Sequence, residues 1–178
     1  EEGDRFSPVP HESPNFGYSS SVFWLKFTLQ NSEPVEQMRL LEIAYPLIDD
    51  LKLFVVENDH ILDRRFTGRI YPAYIREVPH RFLIFHVSVP AGKKVTIYLR
   101  AESEGSINLP VHLWQTEAFA NNDRETRFTF GLYYGMVLVL AIYNLFLFIG
   151  FRDRNYVYYS LTLLLLHGFL QFGVNGLP

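Results

Sequence analysis

Two uncharged apolar runs stand in tandem in the last third of this chain, Phe128 to Phe151 and Tyr156 to Pro178. Only Arg152, Asp153, Arg154 and Asn155 separate them. At a rise of ~1.5 Å per residue the first run makes a helix ~36 Å long, against a bilayer hydrocarbon core of ~30 Å. A soluble helix has no need of such a stretch, so each run is read as a membrane span. The short link forces the spans to lie antiparallel and adjacent. Their outer ends then share one side of the membrane with everything that precedes them.

What precedes them reads as water-soluble. Before position 128 the chain carries 14 basic and 18 acidic residues, a mildly acidic net charge of −4 that argues against a nucleic-acid partner. A stretch of about 125 residues buries one good core without staples. The absence of cysteine therefore costs it nothing, and leaves the redox compartment open. The chain opens on Glu1 without a basic or short apolar leader and closes on Gly-Leu-Pro directly after an apolar run. The expectation is a processed or excised start and a truncated finish.

Within the soluble part the period is two. Phe23, Leu25, Phe27 and Leu29 alternate with Trp24, Lys26, Thr28 and Gln30, the pattern of a half-buried strand from Val22 to Gln30. Further strands are expected at Leu40–Tyr45, stopped by Pro46, and at Leu51–Val56, ended by the turn-prone Glu57-Asn58-Asp59. A return strand follows from His60 to Phe66 and closes at Gly68. Arg69 to His80 has two prolines, two tyrosines and no period, and reads as a long loop of the kind that often carries function. Strands resume at Arg81–Val89, turn through Pro90-Ala91-Gly92-Lys93 and return along Val95–Ser103. The last strand, Ile107 to Trp114, places Ile107, Leu109, Val111 and Leu113 on one side. About seven short strands with no helical period predict a mainly β, antiparallel sandwich or jelly roll, followed by a two-helix transmembrane hairpin. Thr116 to Arg127 is the expected connector, with Asn121-Asn122-Asp123 as the cap of a helix running into the membrane. The expected divisions are 1–115, 116–127 and 128–178.

Arg152 and Arg154 in the link balance Arg124 and Arg127 before the first span, so the positive-inside count is even. The crowding of two arginines into four residues tips the reading toward link inside and β domain outside. Tyr133, Tyr134, Tyr156, Tyr158 and Tyr159 sit where interfacial anchors belong. Gly131 and Gly135 form a Gly-x-x-x-Gly that permits close helix approach. Asn144, His167, Gln171 and Asn175 are polar at membrane depth, which points to a bundle larger than two spans.

Asn15-Phe16-Gly17-Tyr18, Val22-Phe23-Trp24-Leu25-Lys26-Phe27 and Glu42-Ile43-Ala44-Tyr45-Pro46 are followed by Tyr98-Leu99-Arg100, Glu104-Gly105-Ser106 and Leu109-Pro110-Val111. Gly131-Leu132-Tyr133-Tyr134-Gly135, Tyr143-Asn144-Leu145-Phe146 and Arg152-Asp153-Arg154-Asn155-Tyr156 then continue the series. In this order the motifs resemble the bacterial receptors that have seven transmembrane helices and diverse intracellular signalling modules. The resemblance covers nearly the whole chain. It implies a periplasmic jelly-roll domain similar to carbohydrate-binding modules, feeding a seven-helix region in the inner membrane. The link at 152–155 would then be cytosolic. The partners it implies are the lipid bilayer, a glycan or small-molecule ligand, the remaining transmembrane helices and a cytosolic output domain, with a homodimer as a further possibility. In the family that output is often a diguanylate cyclase, a histidine kinase or a phosphatase. For this stretch the resemblance implies a sensor and not an enzyme.

A sugar site needs an aromatic surface to stack on a pyranose ring, with planar polar groups around it. Tyr71 and Tyr74 in the long loop, beside Arg69, Arg76 and Glu77, supply both types, and their alternative is packing as lids over the core. Trp24 is read first as core packing under a loop and second as a platform. Trp114, at the end of the last strand, is read as an interface or hinge contact before a ligand contact. The six histidines show no metal-ligand spacing, and neither a phosphate loop nor a nucleophile elbow is present, so no metal or cofactor is expected. Asp49-Asp50 and Glu102 with Glu104 tempt one toward a glycosidase pair, but adjacency does not set carboxyls across a cleft. A turn and a solvated strand edge account for them. The rival reading, a membrane-anchored carbohydrate-active enzyme or envelope-assembly protein, requires carboxylates clustered in a cleft. A protein–protein interaction module would instead show a flat aromatic patch.

Overall fold

The computed structural model describes residues 6–8, 14–58 and 60–175, with side chains described as far as residue 169. Among the described residues, nine strands occupy the first unit: β1 (Asn15–Tyr18), β2 (Phe23–Gln30), β3 (Gln37–Ile43), β4 (Asp50–Glu57), β5 (His60–Thr67), β6 (Leu83–Val89), β7 (Lys94–Glu102), β8 (Ser106–Asn108) and β9 (Val111–Trp114). All pair antiparallel, in a four-stranded sheet β2-β7-β4-β5, a three-stranded sheet β6-β3-β9 and a small pair β1-β8.

Period two determines what is buried. On β2 the apolar set Phe23, Leu25, Phe27 and Leu29 packs against the core, and the alternate residues are exposed. Leu51, Leu53 and Val55 of β4 and Val95, Ile97, Leu99 and Ala101 of β7 meet Leu41, Ile43, Phe85, Val87 and Val89 from the other sheet in one buried cluster. The result is a sandwich with a single apolar core. Two turns behave as their residues require. Gly92 at φ +67° closes the Pro90–Lys93 turn, in which the Lys93 amide donates to Pro90 O at 3.2 Å, and Asn58 takes φ +49° in the β4–β5 hairpin. Asp59 of that hairpin lies outside the described residues.

The expected single strand from Ile107 to Trp114 is two strands in two sheets. β8 pairs with β1 and β9 with β3. Pro110 has no amide to give a ladder, so pairing stops there and the chain changes sheets. Ile107 and Leu109 are fully buried as the alternation requires, but Leu113 is 45% exposed. β1 escaped the pattern because it is four residues long and kinked at Gly17, where its register shifts.

The second unit holds α1 (Thr116–Phe151) and α2 (Arg154–Asn175). Asn121-Asn122-Asp123 does not cap a helix: α1 begins at Thr116 and passes through these residues without a break. Asparagine and aspartate favour caps only by a weak local competition with the backbone. Here Glu117 favours the first turn, and Asp123 is held inside the helix by an ion pair four residues on, to Arg127 Nε at 2.7 Å. Among the described residues α1 is the helix long and apolar enough to cross a membrane. It ends at Phe151, and the next residue, Arg152, has its amide on Phe148 O at 2.7 Å and a φ of +52°. Asp153 then caps α2 by accepting the Asn155 amide at 3.0 Å. The link is thus two residues, shorter than the sequence suggests.

The helices meet through Val137 and Ala141 of α1 and Ser160 of α2, whose hydroxyl lies 3.1 Å from Ala141 O and 3.0 Å from Tyr156 O. Tyr133 and His167 rings touch at 5.5 Å between centroids. Gly131 and Gly135 are not at this contact, and a Cβ at either would meet open space. Asn144 Nδ2 donates to Leu140 O at 2.8 Å, and His167 Nδ1 lies 2.6 Å from Leu163 O, so both turn back on their own helix. The side chains of Gln171 and Asn175 lie outside the described residues.

Candidate functional site

The strand register of the four-stranded sheet builds the most distinctive surface of the β domain. One cross-strand row, on the face away from the core, reads Trp24, Arg100, Lys52 and Phe66, and the next reads Lys26, Tyr98, Phe54 and Arg64. Aromatic and cationic residues therefore alternate along each strand, while across the sheet two rings flank two cations in the first row and two cations flank two rings in the second. Trp24 stacks on Phe54 with centroids 5.8 Å apart and planes inclined by 25°. Trp24 is 46% exposed and Phe66 45%. Tyr71 comes down beside Phe66 at 4.9 Å. Trp24 is thus not core packing. Its parity on β2 points it outward, and no loop among the described residues covers it.

At one end this face runs into a cleft of about 530 Å³ lined by Asp49, Asp50, Arg69, Glu102, Ser103 and Glu104, within the volume range of small-ligand sites. Asp50 and Glu102 are direct partners in the β4–β7 register. Asp50 is buried, at 8% exposure, and both its oxygens are used. Oδ1 accepts the Tyr71 hydroxyl at 2.9 Å, and Oδ2 takes Lys52 Nζ at 2.8 Å and Arg100 Nη1 at 3.1 Å. Arg100 Nη2 also holds Glu102 Oε2 at 2.6 Å. Asp49 Oδ1 accepts Arg69 Nε at 2.8 Å, and its Oδ2 accepts Ser103 Oγ at 3.0 Å and the Glu104 amide at 2.9 Å.

This geometry shifts two ionisations. Burial alone raises the Asp49 pKa, but the Glu104 amide, the Ser103 hydroxyl and Arg69 outweigh it and hold the carboxyl below its ordinary value. Burial first, and then the hydrogen bond to Asp50, push the Tyr71 phenol up, so it remains a neutral donor at physiological pH. A depressed carboxylate contributes stability that is present above its unfolded pKa of about 3.9 and is lost as pH falls through the lower folded value. Acid titration of the unfolding midpoint is therefore expected to show a drop below about pH 4 that is smaller in Asp49→Asn. An unchanged titration in that variant would show that Asp49 is not so held.

The carboxylates dismissed from their spacing thus do converge. Asp50 is neither in a turn nor solvated, because it opens β4 and faces Glu102 across the ladder. Strand pairing brings these residues together, which sequence proximity does not reveal. Each of Asp49, Asp50 and Glu102 is nevertheless engaged by a cation, an arrangement that orders the cleft and leaves these three with cationic partners. Among the described residues no His, Asp and Glu group is arranged to hold a metal.

Of the six residues singled out from sequence, Trp24, Tyr71 and Arg69 belong to this face and its cleft. The other three do not. Tyr74 projects from a single 3-10 turn, Ala73–Ile75, and is 86% exposed. Arg76 Nη1 closes its own loop on His80 O at 3.0 Å. Trp114 lies in the other sheet, with its indole N–H on the buried Glu42 Oε2 at 2.6 Å. Phe54, Phe66, Tyr98, Lys26, Arg64 and Arg100 were missed. The available signal was parity: on β4, Lys52 and Phe54 alternate with the buried Leu51, Leu53 and Val55.

A second groove, of about 450 Å³, opens beside the edge strands β5 and β6. Arg65 Nη1 lies across that edge, on both Glu77 carboxylate oxygens at 2.8 and 2.9 Å and on His86 O at 2.6 Å. It has no aromatic platform among its lining residues.

Two families match the chain. The one described as 7TMR-DISM extracellular 2 matches residues 1–115, and the one described as 7TM diverse intracellular signalling matches residues 126–177. No curated protein matches it closely enough to count as a relative.

Proposed function

We propose a ligand and a mode of action from one premise: the chain belongs to the 7TMR-DISM extracellular 2 family, and is a membrane signalling receptor with an extracellular sensory domain. Its families are sensory and not catalytic. We read the β domain, residues 1–115, as a jelly-roll-type periplasmic sensor, 116–127 as a connector and 128–178 as the first two spans of a bacterial inner-membrane bundle, with the link at 152–155 cytosolic. The ligand is a carbohydrate lying on the outer face of the four-stranded sheet. The observation that carries this reading is the exposed Trp24 stacked on half-buried Phe54, and the exposed Phe66 paired with half-buried Tyr71, beside a cleft of fixed carboxylates and guanidinium groups. Rings give a stacking surface, and the ordered polar groups give directed partners for hydroxyls.

Gln115 alone separates β9 from α1 in the chain, and α1 is unbroken from Thr116 into the apolar run. A ligand that favours one of two arrangements of the β domain can bias this helix only by its differential affinity for the two.

The test is glycan-array binding by the full chain in nanodiscs. Trp24→Ala is expected to weaken binding by about tenfold or more, the effect of truncating an anchoring aromatic, while Tyr74→Ala leaves it unchanged. Absence of binding to every glycan refutes the carbohydrate reading and leaves the receptor assignment in place. The exposure of Trp24 and Phe66 on the outer sheet face favours a second reading, a protein partner seated there. In that case Trp24→Ala abolishes a pull-down with envelope proteins and the array remains blank.

A further inference from the structure

Resting on the carbohydrate reading, the charge of the outer sheet face points to an acidic glycan as its ligand: we propose that Lys26 and Arg64 select uronate-, sulfate- or phosphate-bearing sugars over neutral ones. Near the cleft the cations are neutralised in place, Lys52 by Asp50 and Arg100 by Asp50 and Glu102. One row farther along, the residues are Lys26, Tyr98, Phe54 and Arg64, with no acid among them. Neither Lys26 nor Arg64 has a carboxylate within ion-pair distance among the described residues.

Their partners are rings. Lys26 Nζ stands 5.4 Å from the Tyr98 centroid and 5.7 Å from that of Phe6, and Arg64 Cζ stands 5.6 Å from that of Phe54. Contact with a ring face holds a cation in position but leaves its charge uncompensated. Residues before position 128 sum to −4, so this cationic row runs against the net charge of that part of the chain. Strands lie about 4.8 Å apart, which sets the two cations roughly 14 Å apart across the sheet with aromatic rings between them. A sugar oligomer lying across the strands would stack on the rings and present an anionic group to each end. A neutral glycan would satisfy the rings alone, and a compact anion the cations alone.

The decisive experiment uses the full chain in nanodiscs of zwitterionic lipid, on an array carrying oligogalacturonates, sulfated and phosphorylated oligosaccharides and their neutral counterparts. Acidic glycans are expected to bind more tightly than neutral ones of the same length, and to lose that advantage between about 0.1 M and about 1 M salt. The double variant Lys26→Gln, Arg64→Gln is expected to lose about three- to tenfold in affinity for acidic glycans, because exposed pairs are individually weak. It should retain its unfolding midpoint. Equal or tighter binding of neutral glycans overturns the inference and leaves the carbohydrate reading standing, as does an unchanged affinity of the double variant for acidic ones. A blank array, or retention on anionic vesicles alone, overturns both.

Discussion

Replacing Gly68 by alanine is expected to destabilise the β domain by about 3 kcal/mol or more. Gly68 sits at φ +141°, a region that side-chain-bearing residues rarely enter, and a Cβ there would stand 2.2 Å from the Asp49 carbonyl oxygen. The obstruction is backbone and not a side chain that can swing away. That carbonyl accepts the Ile70 amide at 3.2 Å, and Arg69 N donates to Ile48 O at 2.9 Å, so the chain after β5 is pinned against residues 48 and 49. Relief of the clash must peel this segment off and withdraw Arg69 from Asp49. Stability and the cleft should fail together. Gly92 is the internal control: its φ is +67° but nothing lies within 4 Å of its Cβ position. Gly92→Ala should therefore cost only the left-handed penalty of about 1 kcal/mol. Both tryptophans of the chain, Trp24 and Trp114, lie in the β domain, so their fluorescence during denaturant titration reads this unit. A Gly68→Ala variant as stable as Gly92→Ala would refute the close approach.

Asp50→Ala is expected to cost about 2–3 kcal/mol. Its carboxylate is the shared acceptor of Lys52, Arg100 and the Tyr71 hydroxyl, and its removal leaves two cations facing each other with a phenol lacking its acceptor. The cost falls below that of a fully buried pair because the Lys52 and Arg100 side chains are 25% and 22% exposed and water screens part of the loss. Asp50→Asn keeps an acceptor for Tyr71 and should lose about half as much. Lys93→Ala, which breaks an ion pair to Glu57 whose lysine is 54% exposed, should stay within about 0.5 kcal/mol. If Asp50→Ala and Lys93→Ala shift the midpoint equally, the Asp50 network contributes no more than a surface pair.

Particular elements show where sequence reading succeeded. β2 was legible because its alternation is uninterrupted for eight residues and one face is buried along its whole length. The division of 107–114 into two strands was not, since the apolar alternation Ile107, Leu109, Val111, Leu113 runs across Pro110 in the sequence, although Leu113 is exposed in the fold. The start of α1 was misplaced because two asparagines and an aspartate resemble a cap, whereas helix propagation and an i,i+4 ion pair carry the backbone through them. Core packing of Trp24 is what its size suggests, whereas its parity on β2 points it outward, where it is exposed.

The residues alone determined the helical hairpin with its long apolar first helix, the β character of the ectodomain and the family, because run length, absence of charge, period two and motif order are properties of neighbouring positions. Tertiary structure decided the site. Asp50 and Arg100, 50 residues apart, meet only because β4 and β7 share a ladder, and Trp24 reaches Phe54 only across the strand between them. Register is set by burial of a common core and by backbone hydrogen bonds between distant segments, so no local spacing announces which outward residues will stand side by side.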